Sequence, residues 1–134
     1  MDQTVSLDVM LVGMALLACK HFVADYLLQP DWIRRDKGLY GGRGGVVHAA
    51  AHGALSVPAC LVLGLGAAPA FLLCGAEAVL HYHIDFAKAR ISARLGDGPE
   101  RWRFWAFFGF DQLLHQLTNI AMLAVAIWWL RGGG

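Results

Sequence analysis

Four long stretches of mainly apolar residues follow one another along the chain. The pattern predicts helices at about residues 5–29, 46–64, 70–95 and 102–130. A membrane-spanning helix needs about 20 mostly apolar residues to cross roughly 30 Å of hydrocarbon. None of the four stretches has the clean polar face of a helix at a water-exposed surface. The sequence therefore predicts an all-α fold, in which residues 1–134 form a single four-helix transmembrane domain.

Proline and glycine mark the predicted ends of these helices. Gln29-Pro30-Asp31 ends the first helix, because the residue before a proline avoids the helical region. Gly96-Asp97-Gly98-Pro99 separates the third helix from the fourth. A polar loop over residues 31–45 joins the first two helices and ends in Gly41-Gly42-Arg43-Gly44-Gly45. Four helices with these connections predict an up-down-up-down bundle.

The basic residues predict how the bundle is oriented. They gather in two of the connections, while the opposite side offers Arg131 together with Asp2 and Asp8. Cytoplasmic loops carry an excess of Lys and Arg, so both termini are expected on the non-cytoplasmic side of a bacterial inner (cytoplasmic) membrane, in a multi-pass protein. The basic residues are Arg34, Arg35, Lys37 and Arg43 in the first connection, and Lys88, Arg90, Arg94, Arg101 and Arg103 in and after the end of the third helix.

The composition agrees with a membrane protein. Apolar residues make up 57% of the chain and charged residues 16%, whereas soluble domains carry about 25% charged residues. The formal net charge of +1 and the lack of a basic run give no reason to expect nucleic acid as a partner. Membrane lipid is the expected environment. Small membrane bundles often dimerise, which makes a homodimer a further expectation.

Each predicted helix carries two metal-capable side chains four residues apart. Four residues are about one helical turn, so both members of a pair project from the same face. In the up-down topology all four pairs fall in the cytoplasmic half of the bundle, at similar depth. Ionisable groups inside a membrane are costly and usually functional. The pairs are His21 and Asp25, His48 and His52, His81 and Asp85, and Asp111 and His115.

Five histidines and three aspartates exceed what one metal ion needs, because a catalytic zinc takes about three protein ligands. We expect two divalent ions in one site. The richness in histidine favours zinc and leaves iron or manganese open. For any single pair the alternatives are a packing residue, a tie between helices or half of a proton relay.

Four carboxylates are the candidate catalytic groups. Asp25, Asp85 or Asp111 can bridge the ions, and whichever stays unligated can act as general base. Glu77 lies one turn before His81 and is the reserve candidate for the base, a ninth ligand or a group that orients an imidazole. Its alternative is an ion pair with Lys20.

The glycine-rich loop before the second helix is a candidate substrate rim. Backbone N–H groups at a helix N-terminus favour anions, and Arg34, Arg35 and Arg43 are close to it in sequence. A phosphate-bearing or lipid-like substrate would suit such a rim. The alternative is a flexible loop whose charges only set the orientation.

The ordered set of motifs resembles the bacterial and phage membrane family known as domain of unknown function 3307. The resemblance covers nearly the whole chain and rests on four motifs. It implies the membrane fold and marks these residues, but it supplies no reaction. The motifs are His21-Phe-x-x-Asp25-x-x-x-Gln29, His48-x-x-x-His52, His81-x-x-Ile84-Asp85-x-x-Lys88 and Asp111-Gln112-x-x-His115.

The leading hypothesis for function is metal-dependent hydrolysis of a lipid-like ester or phosphoester, since a bound cation activates water. One alternative is a di-iron oxidoreductase that acts on a lipid or quinone. The other is a non-enzymatic protein that binds or senses metal or relays protons.

Overall fold

The computed structural model describes residues 5–133, and every regular element in that range is helical. Asp2, which contributes to the predicted orientation, lies outside the described residues. The elements are α1 (Leu7–Phe22), which continues into a π-helical turn (Val23–Leu27), α2 (Asp31–Asp36), α3 (Arg43–Val62), α4 (Ala67–Leu95), α5 (Trp102–Trp128) and a closing π-helical turn (Trp129–Gly133).

Three of the helical segments are long and apolar enough to cross a membrane. They are Leu7–Leu27, Arg43–Val62 and Trp102–Gly132. Helix α4 is long as well, with 29 residues, but Glu77, His81 and His83 lower its mean hydropathy. The predicted membrane character of the chain is therefore supported by three segments.

The connection between α1 and α3 differs from the predicted loop. It contains the short helix α2, whose buried Ile33 packs towards α3. Pro30 lies at the N-cap of α2, so the predicted break at this proline coincides with a helix start. Helix α3 begins at Arg43 and α4 at Ala67, each three residues before the predicted start.

The four longest helices, α1, α3, α4 and α5, form a bundle whose interior is apolar at one end and polar at the other. Helix α1 contacts α3 and α5, and α4 contacts the same two helices. One end holds an apolar core that includes Leu17, Cys60, Met122 and Ala126. The other end holds the polar side chains of the predicted site. Large apolar side chains, such as Leu72 at 68% exposure, cover the outside. Buried polar groups and exposed apolar ones are the reverse of a soluble protein.

Gly53 allows α3 to lie close to α4. A Cβ atom on this residue would stand 2.9 Å from the backbone oxygen of Cys74 and 3.1 Å from the Cβ of Ala78. Small residues at such contacts are common in membrane bundles because they let two backbones approach. The close approach also brings the histidines of α3 next to those of α4.

Candidate metal centre

The four predicted pairs meet at one end of the bundle. The imidazole rings of His52 and His81 are stacked, with centroids 3.6 Å apart, and the ring of His115 lies 4.3 Å from that of His81. The ring of His21 lies 5.3 Å from His52. Seven of the eight side chains are classed as buried, and Asp25 is partly buried. Four separate segments therefore contribute to a single polar cluster.

Asp25 enters the cluster from the π-helical turn after α1. Its Oδ1 atom lies 3.0 Å from Nε2 of His48 and 3.2 Å from Nε2 of His52. Its Oδ2 atom lies 3.2 Å from Nε2 of His21, one turn earlier. The side chain of Gln29 donates a hydrogen bond to the backbone oxygen of Asp25. Short π-helical turns are frequently found at functional sites, and this one places a carboxylate among three imidazoles.

Asp85 lies at the middle of the cluster. Its Oδ2 atom is 3.3 Å from Nε2 of both His48 and His81, and its Oδ1 atom is 3.3 Å from Nε2 of His115. Each carboxylate oxygen thus faces imidazoles from a different direction. Asp85 thus contacts imidazoles from three helices, whereas Asp25 contacts imidazoles from two, so Asp85 is the candidate for a bridging carboxylate that reaches the most helices.

Asp111 is the carboxylate on the α5 side. Its Oδ1 atom lies 3.4 Å from Nε2 of His115, and its Oδ2 atom accepts hydrogen bonds from Lys88 and Gln112. The side chain of Gln112 also lies 3.3 Å from Nε2 of His21. Gln112 therefore connects α1 to α5 and orients two of the predicted site residues.

Several buried atoms of the cluster lack a hydrogen bond. Within the described residues these include Nε2 of His48, His81 and His115 and Oδ1 of Asp111, while Oδ2 of Asp85, also without a hydrogen bond, is ion-paired with Lys37 at 2.6 Å. Each of these imidazole nitrogens lies 3.0–3.4 Å from a carboxylate oxygen of the cluster, but the two atoms are not in hydrogen-bonding geometry. Buried polar atoms without partners are costly, and imidazoles and carboxylates are common metal ligands, so these residues could hold a metal ion.

Six of the eight predicted ligands fall into two groups whose ligand atoms lie within 4.8 Å of one another. His21 and Asp111 belong to neither group. The two groups share His81, whose Nε2 atom can bind only one ion. The first group is Asp25, His48, His52 and His81, and the second is His81, Asp85 and His115.

His52 differs from the other histidines because Lys20 lies behind it. The ammonium group of Lys20 is 3.4 Å from Nδ1 of His52 and 2.5 Å from Oε1 of Glu77. Ser56 donates a hydrogen bond to the other oxygen of Glu77. Glu77 is thus the ion-pair partner of Lys20, the alternative that the sequence left open. It lies outside both ligand groups.

The contact with Lys20 assigns the proton of His52. An ammonium group only donates hydrogen bonds, so Nδ1 of His52 accepts and the proton of the neutral ring lies on Nε2. That nitrogen then donates to Oδ1 of Asp25, at 3.2 Å. In this arrangement His52 holds Asp25 in place, and its use as a ligand would require the opposite tautomer.

The predicted rim is only partly at the site. A cleft of about 470 Å³ opens onto Asp25 and Asp85, and Arg34 lines it. Arg35 and Arg43 do not line it and are exposed. The N–H group of Gly44, in the glycine-rich segment, donates to the carboxylate of Asp36. An internal anion therefore already occupies this helix N-terminus.

Lys37 belongs to the basic loop beside the predicted rim and Lys88 closes one of the sequence motifs, but neither was predicted to contact the cluster. Lys37 and Lys88 reach from its wall to Asp85 and Asp111, at 2.6 and 2.7 Å. Arg103 also lines it, together with a wall of Phe104, Phe107 and Phe108. The spacing of Lys88, three residues after Asp85, was the available signal. This signal was not recognised, because the positive-inside rule accounts for every basic residue equally well.

His83 lies apart from the cluster. It is exposed, and its ring hydrogen-bonds to the backbone oxygen of Val79. It lies two residues after His81, so the two side chains project from different faces of α4. It therefore offers a natural control for substitutions of the buried histidines.

Comparison with known proteins identifies the family but no activity. No curated protein and no solved structure matches the chain. The family described as "Protein of unknown function (DUF3307)" matches residues 13–132, which include every residue of the cluster and of the cleft. The resemblance noted from the motifs is thereby confirmed, and the chain belongs to the DUF3307 family.

Proposed function

We infer that the protein is a membrane-embedded, metal-dependent hydrolase with two divalent ions, acting on a lipid-like ester or phosphoester. The observation that carries this proposal is the set of buried imidazole and carboxylate atoms that face one another without hydrogen bonds, next to an open cleft. A structural metal site uses all its positions for protein ligands, whereas a catalytic one keeps a position open.

Two ions can share the cluster if Asp85 bridges them. His48 and Asp25 would hold the ion on the α3 side. His81 and His115 would hold the other, with Asp111 next to His115. Two imidazoles and a carboxylate are a ligand set used by catalytic zinc, and zinc is favoured on this ground, while iron and manganese also accept it. His52 and His21 then orient Asp25 and are not ligands in this proposal.

The carboxylates have separate roles in the proposed reaction. A divalent ion polarises an ester or phosphoryl oxygen and makes bound water more acidic. Of the four candidates, Asp25 and Asp85 line the cleft. If Asp25 binds its ion through Oδ1 alone, its Oδ2 is the oxygen assigned to accept the proton of the attacking water. That proton would pass to the leaving alkoxide as its bond to the acyl or phosphoryl centre breaks. Asp111 supports His115, and Glu77 neutralises Lys20.

The experiment compares metal content and hydrolysis in matched variants. Detergent-purified wild type is expected to hold close to two ions per chain. His81→Ala should lose most of this metal, and His83→Ala, two residues away on the exposed face, should keep it. The assay is metal-dependent release of phosphate or fatty acid from a panel of bacterial lipids. Metal contents that are equally low in wild type and His81→Ala would refute the metal centre. Bound metal without turnover on any lipid would favour a non-enzymatic role.

An oxidoreductase is the second candidate function. Two histidines and one carboxylate are also the facial ligand set of non-haem iron enzymes, and His81, His115 and Asp85 provide it. Iron in the purified protein with visible absorption would support this reading. A colourless protein that contains zinc would exclude it.

The membrane arrangement is also part of the proposal. Helix α4 exposes Phe71, Leu72 and Val79, so it is proposed to span the membrane with the other three long helices in an up-down-up-down bundle. The basic cleft then faces the cytoplasm and both termini lie on the other side of a bacterial inner membrane. Lipid covers the exposed apolar side chains, and a homodimer is proposed within that membrane.

A further inference from the structure

The cleft beside the cluster combines two kinds of wall. It lies between the end of the α1 segment, α2, the last turns of α4 and the first turns of α5. Its volume of about 470 Å³ is within the range of roughly 300–1,000 Å³ that is typical of small-molecule sites. The space is therefore large enough for a headgroup and the first part of a chain, and too small for a macromolecule.

One wall is apolar, and the other carries four cations together with the carboxylates of Asp25, Asp85 and Asp97. Phe104, Phe107 and Phe108 come from neighbouring turns of α5 and form the apolar wall. Lys88 lies at the boundary, with its ammonium group 5.1 Å from the centre of the Phe108 ring. A ligand that fits both walls has a charged group joined to a hydrocarbon part.

Two of the four cations are directed to the inner end of the cleft. Arg34 is paired with Asp31 at the surface, and Arg103 is paired with Asp97. Lys37 and Lys88 instead reach carboxylates of the cluster. An ammonium group has three donors, so each lysine can hold its aspartate and still donate to a ligand in the cleft.

The charge of the cluster also favours an anion there. Four carboxylates, those of Asp25, Glu77, Asp85 and Asp111, are accompanied by the ammonium groups of Lys20, Lys37 and Lys88. The lysines leave one negative charge uncompensated, so a single divalent ion makes the centre positive. Opposite charges attract strongly where water is excluded, and the inner end of the cleft therefore suits an anionic group.

We propose that the cleft binds an amphiphile with a compact anionic headgroup, a phosphate monoester on an alkyl chain. The headgroup lies between Lys37 and Lys88, and the first methylene groups lie against Phe104, Phe107 and Phe108. This assignment rests on the proposed function, because it names the substrate class of that site. It also gives the two lysines a double role, as ligands of the headgroup and as partners of Asp85 and Asp111.

The test measures binding of hexyl phosphate to metal-supplemented protein in a non-ionic detergent, by calorimetry. Inorganic phosphate and hexanol are the two partial probes. Hexyl phosphate is expected to bind at least tenfold more tightly than either of them. Lys37→Gln and Lys88→Gln should each weaken its binding about tenfold or more, and Lys88→Arg should retain most of it. Arg90→Gln, on the same helix but outside the cleft, should bind like wild type.

Metal content is measured on the same samples to separate the two proposals. The assignment of the cleft would be overturned if the metal content is normal but hexyl phosphate is not preferred. It would also be overturned if Lys88→Gln and Arg90→Gln bind hexyl phosphate equally well. In both cases the proposed metal centre would stand. Metal-free wild type would overturn the proposed function. Equal binding of phosphate and hexyl phosphate would show that the phenylalanine wall does not contribute to binding. It would overturn the proposal that the ligand is an amphiphile.

Discussion

The ammonium group of Lys20 lies 3.4 Å from Nδ1 of His52, in the interior of the bundle. The same ammonium group is paired with Glu77, and both side chains are almost fully buried. A cation in this position is not a metal ligand, yet it fixes which nitrogen of His52 carries the proton. The contact thus couples the inner ion pair to the arrangement of Asp25, on the other side of the ring.

Loss of Lys20 is expected to destabilise the protein strongly. Lys20→Met leaves Glu77 buried and unpaired, and removal of one partner of a buried pair costs about 3–5 kcal/mol. Replacing both, in Lys20→Met/Glu77→Leu, should restore most of the stability, because an apolar pair of similar volume is often neutral. Unfolding of the purified protein in mixed micelles measures both variants. A double variant no more stable than the single one would contradict the pairing.

His48 and His52 are expected to differ in their effect on bound metal. Nε2 of His48 faces Asp25 and Asp85 without a hydrogen bond, while Nε2 of His52 is hydrogen-bonded to Asp25. His48→Ala should therefore lose most of the ion on the α3 side. His52→Ala should keep more of this ion than His48→Ala does, but less than wild type, because Asp25 is no longer held in place. Elemental analysis of the two variants decides, and a greater loss in His52→Ala would show that His52 is the ligand.

Asp85→Asn and Asp111→Asn should also differ. Asp85 contacts three imidazoles of the cluster and Asp111 contacts one. The amide of asparagine cannot bridge two cations as a carboxylate does, so Asp85→Asn is expected to release both ions. Asp111→Asn should retain at least one. Equal metal contents in the two variants would argue against a bridging role for Asp85.

Removal of the metal should lower stability most where the cluster is intact. A ligand that binds the native state at 100 times its Kd adds about 2.7 kcal/mol of stability. A strong chelator should therefore lower the Tm of wild type and of His83→Ala. It should lower the Tm of His81→Ala less, since that variant has already lost the ion that His81 would hold. Thermal unfolding with and without chelator makes this comparison.

Two glycines provide a matched test of how closely α3 and α4 pack. Gly53→Ala forces a methyl group against the backbone of Cys74, and overpacking of this kind costs about 1–3 kcal/mol. Gly75→Ala has no atom within 4 Å of its new methyl group, so it should be neutral or slightly stabilising, because alanine favours a helix. Stability in detergent is the measurement. Similar losses in both would mean that the two helices are not held at this distance.

The proposed orientation can be tested with reporter fusions. Alkaline phosphatase is active only outside the cytoplasm, so a fusion after Gly134 should be active. A fusion after Gly98, in the connection between α4 and α5, should be inactive. A fluorescent protein that folds only in the cytoplasm should show the opposite pattern at both points. Activity at Gly98 would contradict a cytoplasmic cleft.

The histidine and aspartate pairs could be recognised from sequence because their chemistry is local. A one-turn spacing places His81 and Asp85 on one face, whatever the helix packs against. The break at Pro30 is local as well, since it follows from the proline ring. The family followed from the order of these motifs, and the match over residues 13–132 confirms it.

The remaining features depend on how the helices pack. The sequence left an ion pair between Lys20 and Glu77 open as an alternative, but nothing near Lys20 indicates that it also meets His52, which lies on another helix. The choice of Lys37 and Lys88 over Arg35 and Arg43 on the cleft depends on the turn that α2 makes above α3. The π-helical turn at Asp25 was also beyond local prediction, because no glycine or proline lies within it.

The apolar core formed by Leu17, Cys60, Met122 and Ala126 determines how an ion can be supplied to the protein. Within the described residues, that end of the bundle is filled with apolar side chains, so an ion bound in the proposed centre would exchange through the cleft. Divalent metals differ in affinity for such sites in a fixed order, and cells select among them by availability. The metal found in the centre would then report the free metal pool of the compartment that the cleft faces.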